Sequence, residues 1–292
     1  FSPDGQKLAA GCRDRKVYVW DVDKGKKPLI LDGHKLDVYC VAFSKDGKTL
    51  ATGGGDRTIR MWNASTGQES GAPIVQKGTA RDLVFSPSGE QLVSGSLDGT
   101  VTIWSLAARR SLKVLRAPDV AEVYAVAFRP DGEQLASAGS GGGVYIWNMS
   151  DYTLLRSWRA NKFTTVRSLA YIRDGRLLAS ASADRTIEIR YPDSGSIFRI
   201  IKGHASDVVG IAVNPNGTRI ASVSRDQTMK IWPVADPFAA TTGRHSDSGG
   251  VLDINFSHDG QRIASAGQDK TVKIWETKSR QLLRTLPVDT AV

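Results

Sequence analysis

Short apolar runs alternate with short polar clusters along the whole chain. In runs such as 17–20, 101–104 and 272–275, bulky apolar residues occupy alternate positions or the end of the run, with a variable residue between them. A period of two is typical of β-strands rather than helices. The polar clusters, such as 129–132 and 257–260, combine Asp and Gly with Ser, Pro or Arg and indicate tight turns. The pattern therefore predicts an all-β chain.

This strand pattern repeats seven times, at intervals of 42 or 43 residues. The residues at the equivalent strand end are Trp20, Trp62, Trp104, Trp147, Arg190, Trp232 and Trp275. Each unit has room for about four strands of about six residues, but not for a crossover helix. Because one sheet cannot hide two apolar faces, neighbouring units must stack. We therefore predict a seven-bladed β-propeller of four-stranded antiparallel blades.

The repeated motifs resemble those of the WD-repeat β-propeller family over essentially the whole chain. A Gly-His pair, a Ser-Pro-Asp-Gly-like turn, a Ser or Thr four residues before an Asp, and a Trp six residues after that Asp recur in order. The resemblance implies that His, Ser or Thr, Asp and Trp form a buried hydrogen-bond chain within a blade. The complete sets are His34, Thr52, Asp56 and Trp62 in blade 2, His204, Ser222, Asp226 and Trp232 in blade 6, and His245, Ser265, Asp269 and Trp275 in blade 7.

The other blades depart from this pattern. Blade 3 lacks the His, blade 4 has Gly141 in place of the Asp, and blade 5 lacks the His and has Arg190 in place of the Trp. Repeat drift and a blade shaped for a partner both remain open as interpretations. In blade 1, Phe1 aligns with the end of the innermost strand and Val292 aligns just before its beginning. We therefore expect blade 1 to lack most of that strand, and residues 1–292 to form a single domain of a longer polypeptide.

The chain has an excess of basic residues. The net charge is +9 and the pI is about 9.6, which favours acidic partners. The basic residues are dispersed, however, so an ordinary solvated surface explains them as well. Cys12 and Cys40 lie in apolar runs, which is typical of buried thiols rather than a disulfide framework. Since no apolar segment is long enough to span a bilayer, we predict a cytoplasmic protein that does not bind membranes.

The sequence contains no recognisable catalytic or metal-binding motif. The four His residues lie in different repeats, so they do not converge as metal ligands do. The segment 47–49 lacks the first glycine of a phosphate-binding loop, and no Gly-x-Ser-x-Gly motif is present. We therefore predict no enzymatic activity, no metal and no cofactor. A propeller-fold hydrolase is the least favoured alternative.

Exposed residues on the rims of the ring are the candidates for function, because the blade interiors are committed to packing. Two sets of equivalent positions stand out, one near the start of each inner strand and one directly before each turn Asp. In the family these positions commonly line the top face. The predicted contact residues are Tyr39, Arg81, Tyr124, Arg167 and Leu252 in the first set, and Arg13, Leu97 and Arg225 in the second.

These residue types point to a protein partner. Tyr and Arg dominate the most strongly binding positions of interfaces, and Arg pairs well with carboxylate and phosphate. We predict a scaffold that binds other proteins through acidic or phosphorylated peptide segments. A propeller that associates with nucleic acid is the alternative, disfavoured because basic and aromatic residues are not concentrated in a stripe. Ordinary variable surface residues would also explain the pattern.

Overall fold

The fold is a ring of seven antiparallel β-sheets. The computed structural model describes residues 1–24, 27–160, 164–235, 241–245 and 249–292. The strands of each sheet follow chain order, and the first strands of successive four-stranded sheets contact one another around the centre. In the described residues six sheets have four strands and the first has three. The prediction of an all-β, seven-bladed propeller is confirmed.

The strands are numbered along the chain, and within each blade they follow one another outward from the central channel. Blade 1 contains β1 (Lys7–Gly11), β2 (Lys16–Asp21) and β3 (Leu29–Asp32). Blade 2 contains β4 (Val38–Phe43), β5 (Thr49–Gly54), β6 (Thr58–Asn63) and β7 (Ile74–Val75). Blade 3 contains β8 (Ala80–Phe85), β9 (Gln91–Ser96), β10 (Thr100–Ser105) and β11 (Arg110–Arg116). Blade 4 contains β12 (Val123–Phe128), β13 (Gln134–Gly139), β14 (Gly143–Asn148) and β15 (Leu154–Arg159), with a 3₁₀ turn at Ser140–Gly142.

The remaining three blades have the same four-stranded organisation. Blade 5 contains β16 (Val166–Ile172), β17 (Leu177–Ser182), β18 (Thr186–Arg190) and β19 (Ile197–Lys202). Blade 6 contains β20 (Val208–Val213), β21 (Arg219–Ser224), β22 (Thr228–Pro233) and β23 (Thr241–Arg244). Blade 7 contains β24 (Val251–Phe256), β25 (Arg262–Gly267), β26 (Thr271–Glu276) and β27 (Leu282–Pro287).

Blade 1 has three strands, and its register corrects the alignment of Val292. The Arg13 N–H donates to the carbonyl of Ala291 at 3.2 Å, as the Gly55 N–H donates to the carbonyl of Asp37 at 2.8 Å in blade 2. Val292 therefore matches the first residue of an inner strand rather than the residue before it. The loops that enter the inner strands differ in length, so alignment alone misplaced this boundary by one residue.

The apolar core lies between blades. Leu31 of blade 1 shares one buried cluster with Leu50 and Trp62 of blade 2, and Trp62 is only 2% exposed. Equivalent clusters occur around the ring. Burial of one such side chain contributes roughly 2 kcal/mol. Each blade therefore depends on both neighbours for the cover of its faces.

A buried hydrogen-bond chain connects the parts of blade 2. Trp62 Nε1 donates to Thr52 Oγ1 at 2.8 Å. The Thr52 hydroxyl in turn donates to His34 Nε2 at 2.8 Å, and His34 Nδ1 donates to Asp56 Oδ2 at 2.9 Å. Because every polar group in the chain has a partner, its burial carries little desolvation penalty.

Blades 6 and 7 carry the same chain with one difference. In blade 6 the three distances are 2.8, 2.7 and 2.8 Å along Trp232, Ser222, His204 and Asp226. In blade 7 the imidazole is reversed: His245 Nδ1 lies 2.7 Å from Ser265 Oγ, and its Nε2 lies 3.3 Å from Asp269 Oδ1. Trp275 Nε1 donates to Ser265 Oγ at 2.8 Å. In the sequence, the spacing between His245 and Ser265 is two residues longer than that between His34 and Thr52.

Blade 3 replaces the missing His with Gln76. Trp104 Nε1 donates to Ser94 Oγ at 2.9 Å, and the Ser94 hydroxyl donates to Gln76 Oε1 at 2.9 Å. The Gln76 amide nitrogen then donates to the carbonyl of Gly78 at 2.9 Å. An amide has both an acceptor and a donor, so it can continue the chain as an imidazole does. The sequence motif missed Gln76 because it required His.

Blade 5 replaces the chain with an ion pair. Arg190 Nε binds the carboxylate of Glu188, which is only 1% exposed, and Arg190 Nη1 donates to the carbonyl of Gly195 at 2.6 Å. The guanidinium also lies 5.8 Å from the ring centroid of Trp158 in blade 4. Ser180 donates to the Glu188 carbonyl at 3.3 Å. The substitution of Trp by Arg is thus accompanied by a buried acidic partner on the same strand.

Ser222 and Ser180 offer a matched test of the hydrogen-bond chain. Ser222→Ala leaves Trp232 Nε1 and His204 Nε2 buried without their partner, so we expect a loss of about 2 kcal/mol in the free energy of unfolding. Ser180→Ala, at the equivalent position of blade 5, should cost less than about 1 kcal/mol. Urea unfolding followed by tryptophan fluorescence measures both. Equal losses would show that the chain contributes nothing beyond packing.

Candidate interaction surface

The second residue of each inner strand in blades 2 to 7 is the extra residue of a β-bulge. In β4 the register shifts between Val38 and Cys40, which leaves Tyr39 unpaired, and the same shift recurs in the other five inner strands. A bulge redirects the side chain of its extra residue. Because the inner strands start at the face with the inter-blade loops, these side chains surround the channel mouth. The bulge residues are Tyr39, Arg81, Tyr124, Arg167, Val209 and Leu252.

Four of these side chains stack into one continuous surface, the Tyr–Arg arc, formed by Tyr39, Arg81, Tyr124 and Arg167. Arg81 Cζ lies 4.6 Å from the ring centroid of Tyr39 and 5.5 Å from that of Tyr124. Arg167 Cζ lies 5.4 Å from the Tyr124 centroid. Each such cation–π contact contributes about 0.5 to 2 kcal/mol. The stacking therefore orients both guanidinium groups before any other protein binds.

The arc carries positive charge that is poorly neutralised. Among the described residues Arg81 makes no ion pair, and its buried Nε has no hydrogen-bond partner. Arg167 Nη2 lies 3.7 Å from Asp207 Oδ2, and Arg225 Nη1 lies 3.8 Å from the same oxygen. Both distances exceed hydrogen-bond range, so one carboxylate is shared weakly between two cations. The arc can therefore attract an anion from outside.

Two acidic residues outside the set predicted from the sequence shape the arc. The Tyr124 hydroxyl donates to Glu122 Oε2 at 2.6 Å, and burial together with this bond raises the pKa of Tyr124. Tyr124 therefore stays protonated, with its ring held in one orientation. The second residue is Asp207, described above. Both directly precede the first residue of an inner strand, and that position was the available signal.

The other predicted contact residues lie outside the arc. Arg225 approaches it only through Asp207, with 55% of its side chain exposed. Arg13 is exposed on a turn of blade 1, and Leu97 and Leu252 are partly buried. A role for these four residues in partner binding stays a prediction.

Asp82 lies next to Arg81 in the channel wall and links two blades. Its carboxylate accepts the N–H of Leu83 at 2.9 Å and the N–H of Val126 in β12 at 2.8 Å. Removal from bulk water outweighs these bonds and raises the pKa of Asp82 to about 7. The carboxyl group beside the arc therefore changes its charge near neutral pH.

Other chemistry is sparse in the part of the chain that the structure describes. No group of three or more His, Cys, Asp or Glu residues there could hold a metal ion. Cys12 and Cys40 are free and buried, and burial raises the pKa of Cys12 to about 12. Within the same residues, no helix has the length and apolar character needed to cross a membrane.

Comparison with known families decides the classification. The family model described as "WD domain, G-beta repeat" matches seven segments that together cover most of the chain. The matched segments are 1–21, 25–63, 74–105, 109–148, 152–189, 195–233 and 238–276. The chain belongs to the WD40 repeat family. WD40 propellers generally bind proteins and are usually non-catalytic.

Two curated proteins share a short stretch with this WD40 propeller. The general transcriptional corepressor TUP1 of Saccharomyces cerevisiae is 44% identical over 43 residues, and the protein lethal(2)denticleless of Drosophila melanogaster is 43% identical over 44 residues. Each stretch covers 15% of this chain and only 6% of the relative. A match the length of one repeat supports the family alone.

The raised pKa of Asp82 makes the stability of the propeller depend on pH. The folded protein keeps the Asp82 proton up to about pH 7, whereas an unfolded Asp loses it near pH 4, so the contribution of Asp82 to stability falls as the pH rises between these values. Asp82→Asn mimics the protonated form. From about pH 5 to about pH 8 its stability relative to the native chain should rise by about 2 kcal/mol.

Urea unfolding of both proteins at the two pH values measures this difference. Asp174→Asn, at an exposed bottom-face turn, is the control and should show no such trend. A pH-independent difference for Asp82→Asn would mean that Asp82 is already ionised in the folded protein at the lower pH.

Proposed function

We propose that this WD40 propeller is a non-catalytic scaffold whose Tyr–Arg arc binds acidic or phosphorylated peptide segments of other proteins. The observation that carries this proposal is the Arg81 guanidinium, held between two tyrosine rings with no carboxylate within ion-pair distance among the described residues, while Asp82 acts on it only at longer range. A carboxylate or phosphate that reaches Arg81 gains a charge-assisted hydrogen bond to a group that is already oriented. We also propose that residues 1–292 act as one domain in the cytoplasm.

The tyrosine rings give the arc a second means of recognition. Tyr39 is 42% exposed, so its ring remains available to a partner's side chains. Aromatic rings provide a large, rigid contact area at low entropic cost. The apolar bulge residues Val209 and Leu252 continue the channel mouth beyond the arc. A peptide with acidic residues beside an apolar one would match both parts.

Arg167 extends the cationic surface past the Tyr124 ring. Arg81 and Arg167 both lie within about 5.5 Å of the centroid of this ring, so neighbouring acidic residues of one peptide can reach both groups. Asp207 competes for Arg167 only at 3.7 Å. An incoming anion with direct hydrogen bonds would therefore displace a weak contact.

Binding to an array of acidic peptides tests the proposal. Each peptide is synthesised with Asp and Glu, with phosphoserine, and with the acids replaced by Asn and Gln. We expect the acidic and phosphorylated forms to bind the native chain and the neutral forms to lose at least about tenfold in affinity. Arg81→Glu should abolish the difference. Arg81→Lys should give an intermediate affinity, because it keeps the charge but not the planar fork.

A charge-matched control separates the arc from the general positive charge. Lys278→Glu makes the same charge change on an exposed turn between β26 and β27, at the opposite face, and should leave affinity within about twofold. Equal losses for Arg81→Glu and Lys278→Glu would reject the arc as the site. Tighter binding of duplex DNA than of any peptide, with a steep salt dependence, would favour the nucleic-acid alternative.

A further inference from the structure

Blade 2 contains a segment, residues 64–73, that lies between two stretches matched by the WD40 family model. It interrupts the outer edge of the blade. The Ser70 N–H donates to the carbonyl of Met61 at 2.7 Å, but the outer strand β7 has only two residues. Between them the backbone turns away at Gly71, whose φ is 70°. The interruption leaves a cleft between blades 2 and 3.

Arg109 of blade 3 fastens this segment in place. Its Nη1 donates to the carbonyl of Ser70 at 2.9 Å, and its Nη2 donates to the carbonyl of Ala72. The guanidinium packs directly against Gly71, where a Cβ atom would lie 2.9 Å from Arg109 Cζ. Arg109 itself has a φ of 48°, a left-handed conformation that costs roughly 1 to 2 kcal/mol. Both blades therefore contribute to the shape of the cleft.

The cleft has an apolar floor and a polar rim. Its volume is about 580 Å³, within the range of ligand pockets. Met61 and Ile74 of blade 2 and Phe85 and Leu106 of blade 3 form the floor. This floor can accept one bulky apolar side chain.

The rim of the cleft carries a net positive charge, since Lys45 and Arg109 line it together with Asp46. Lys45 Nζ donates to the carbonyl of Pro87 at 3.1 Å, and Arg109 donates to backbone carbonyls, so neither cation is paired with a carboxylate among the described residues. The carboxylate of Asp46 accepts the Ser44 hydroxyl at 2.6 Å and the Lys48 N–H at 3.0 Å. These bonds lower the pKa of the Asp46 carboxyl and keep it ionised, but one carboxylate beside two cations leaves the rim with a net positive charge, which favours an anionic ligand.

We propose that this cleft is a second binding site, for an extended peptide segment that inserts one bulky apolar side chain between blades 2 and 3. An acidic residue of that segment lies beside Lys45 and Arg109. The apolar floor and the cationic rim determine these two requirements separately. The site lies on the opposite face from the Tyr–Arg arc, so it does not depend on the function proposed for the arc.

Selection from a displayed library of random linear peptides tests this proposal, with the native chain as the target. The selected peptides are then tested against the Arg81→Glu variant. Those that still bind are the peptides that do not need the Tyr–Arg arc. We expect them to share a bulky apolar residue next to Asp or Glu. Ser70→Trp, which fills the cleft from an exposed position, should weaken their binding at least about tenfold. Lys45→Glu should weaken it about fivefold.

A control variant and a folding check accompany this experiment. Lys278→Glu should leave the affinity of the selected peptides unchanged, and thermal unfolding checks that Ser70→Trp remains folded. Lys45→Glu removes one exposed hydrogen bond to the Pro87 carbonyl and no buried group, so it decides the question if Ser70→Trp does not fold. Unchanged affinity in Lys45→Glu, or a library that yields no peptide independent of Arg81, would overturn the proposal. Neither result bears on peptides that bind the arc.

Discussion

A four-stranded sheet with two apolar faces has to be covered on both sides, and this constraint governs the whole molecule. Each blade buries residues such as Leu50 and Trp62 against its neighbour, so no blade has a core of its own. This mutual burial requires apolar residues at the same strand positions in every blade. The turns, the inter-blade loops and the β-bulges at the channel mouth are less constrained, and residues from these elements contribute to both proposed binding sites.

The blade interiors share matched donors and acceptors rather than the same residues. The His–Ser/Thr–Asp–Trp set of blade 2, the Gln76 variant of blade 3 and the Glu188–Arg190 pair of blade 5 differ in chemistry. In each case the polar groups lie between packed strands and have partners. Residue identity can change, provided that donors and acceptors remain matched. The Arg190 substitution is therefore a repacked solution and not an unsupported gap in the ring.

The sequence predicted the ring because its period of 42 or 43 residues is long, regular and repeated. It also placed Tyr39, Arg81, Tyr124 and Arg167 at equivalent positions, since strand register follows from the repeat. It did not reveal their stacking, which depends on the β-bulges and on contacts across three inter-blade boundaries. No repeat motif encodes the hydrogen bonds of Arg109 to the carbonyl of Ser70 or of Ser94 to Gln76 either, because both depend on residues in the loops between strands.

The β-bulge at the start of each inner strand has a consequence for how such a ring acquires new specificity. In blades 2 to 7 its extra residue is outside the ladder, so Tyr, Arg, Val and Leu occupy it with the same backbone register. After repeat duplication, each blade with such a bulge inherits one position at which mutation changes the side chain without changing the strand register. The paired strand residues thus keep the ring stable, while the one bulge residue of such a blade can change what the ring binds.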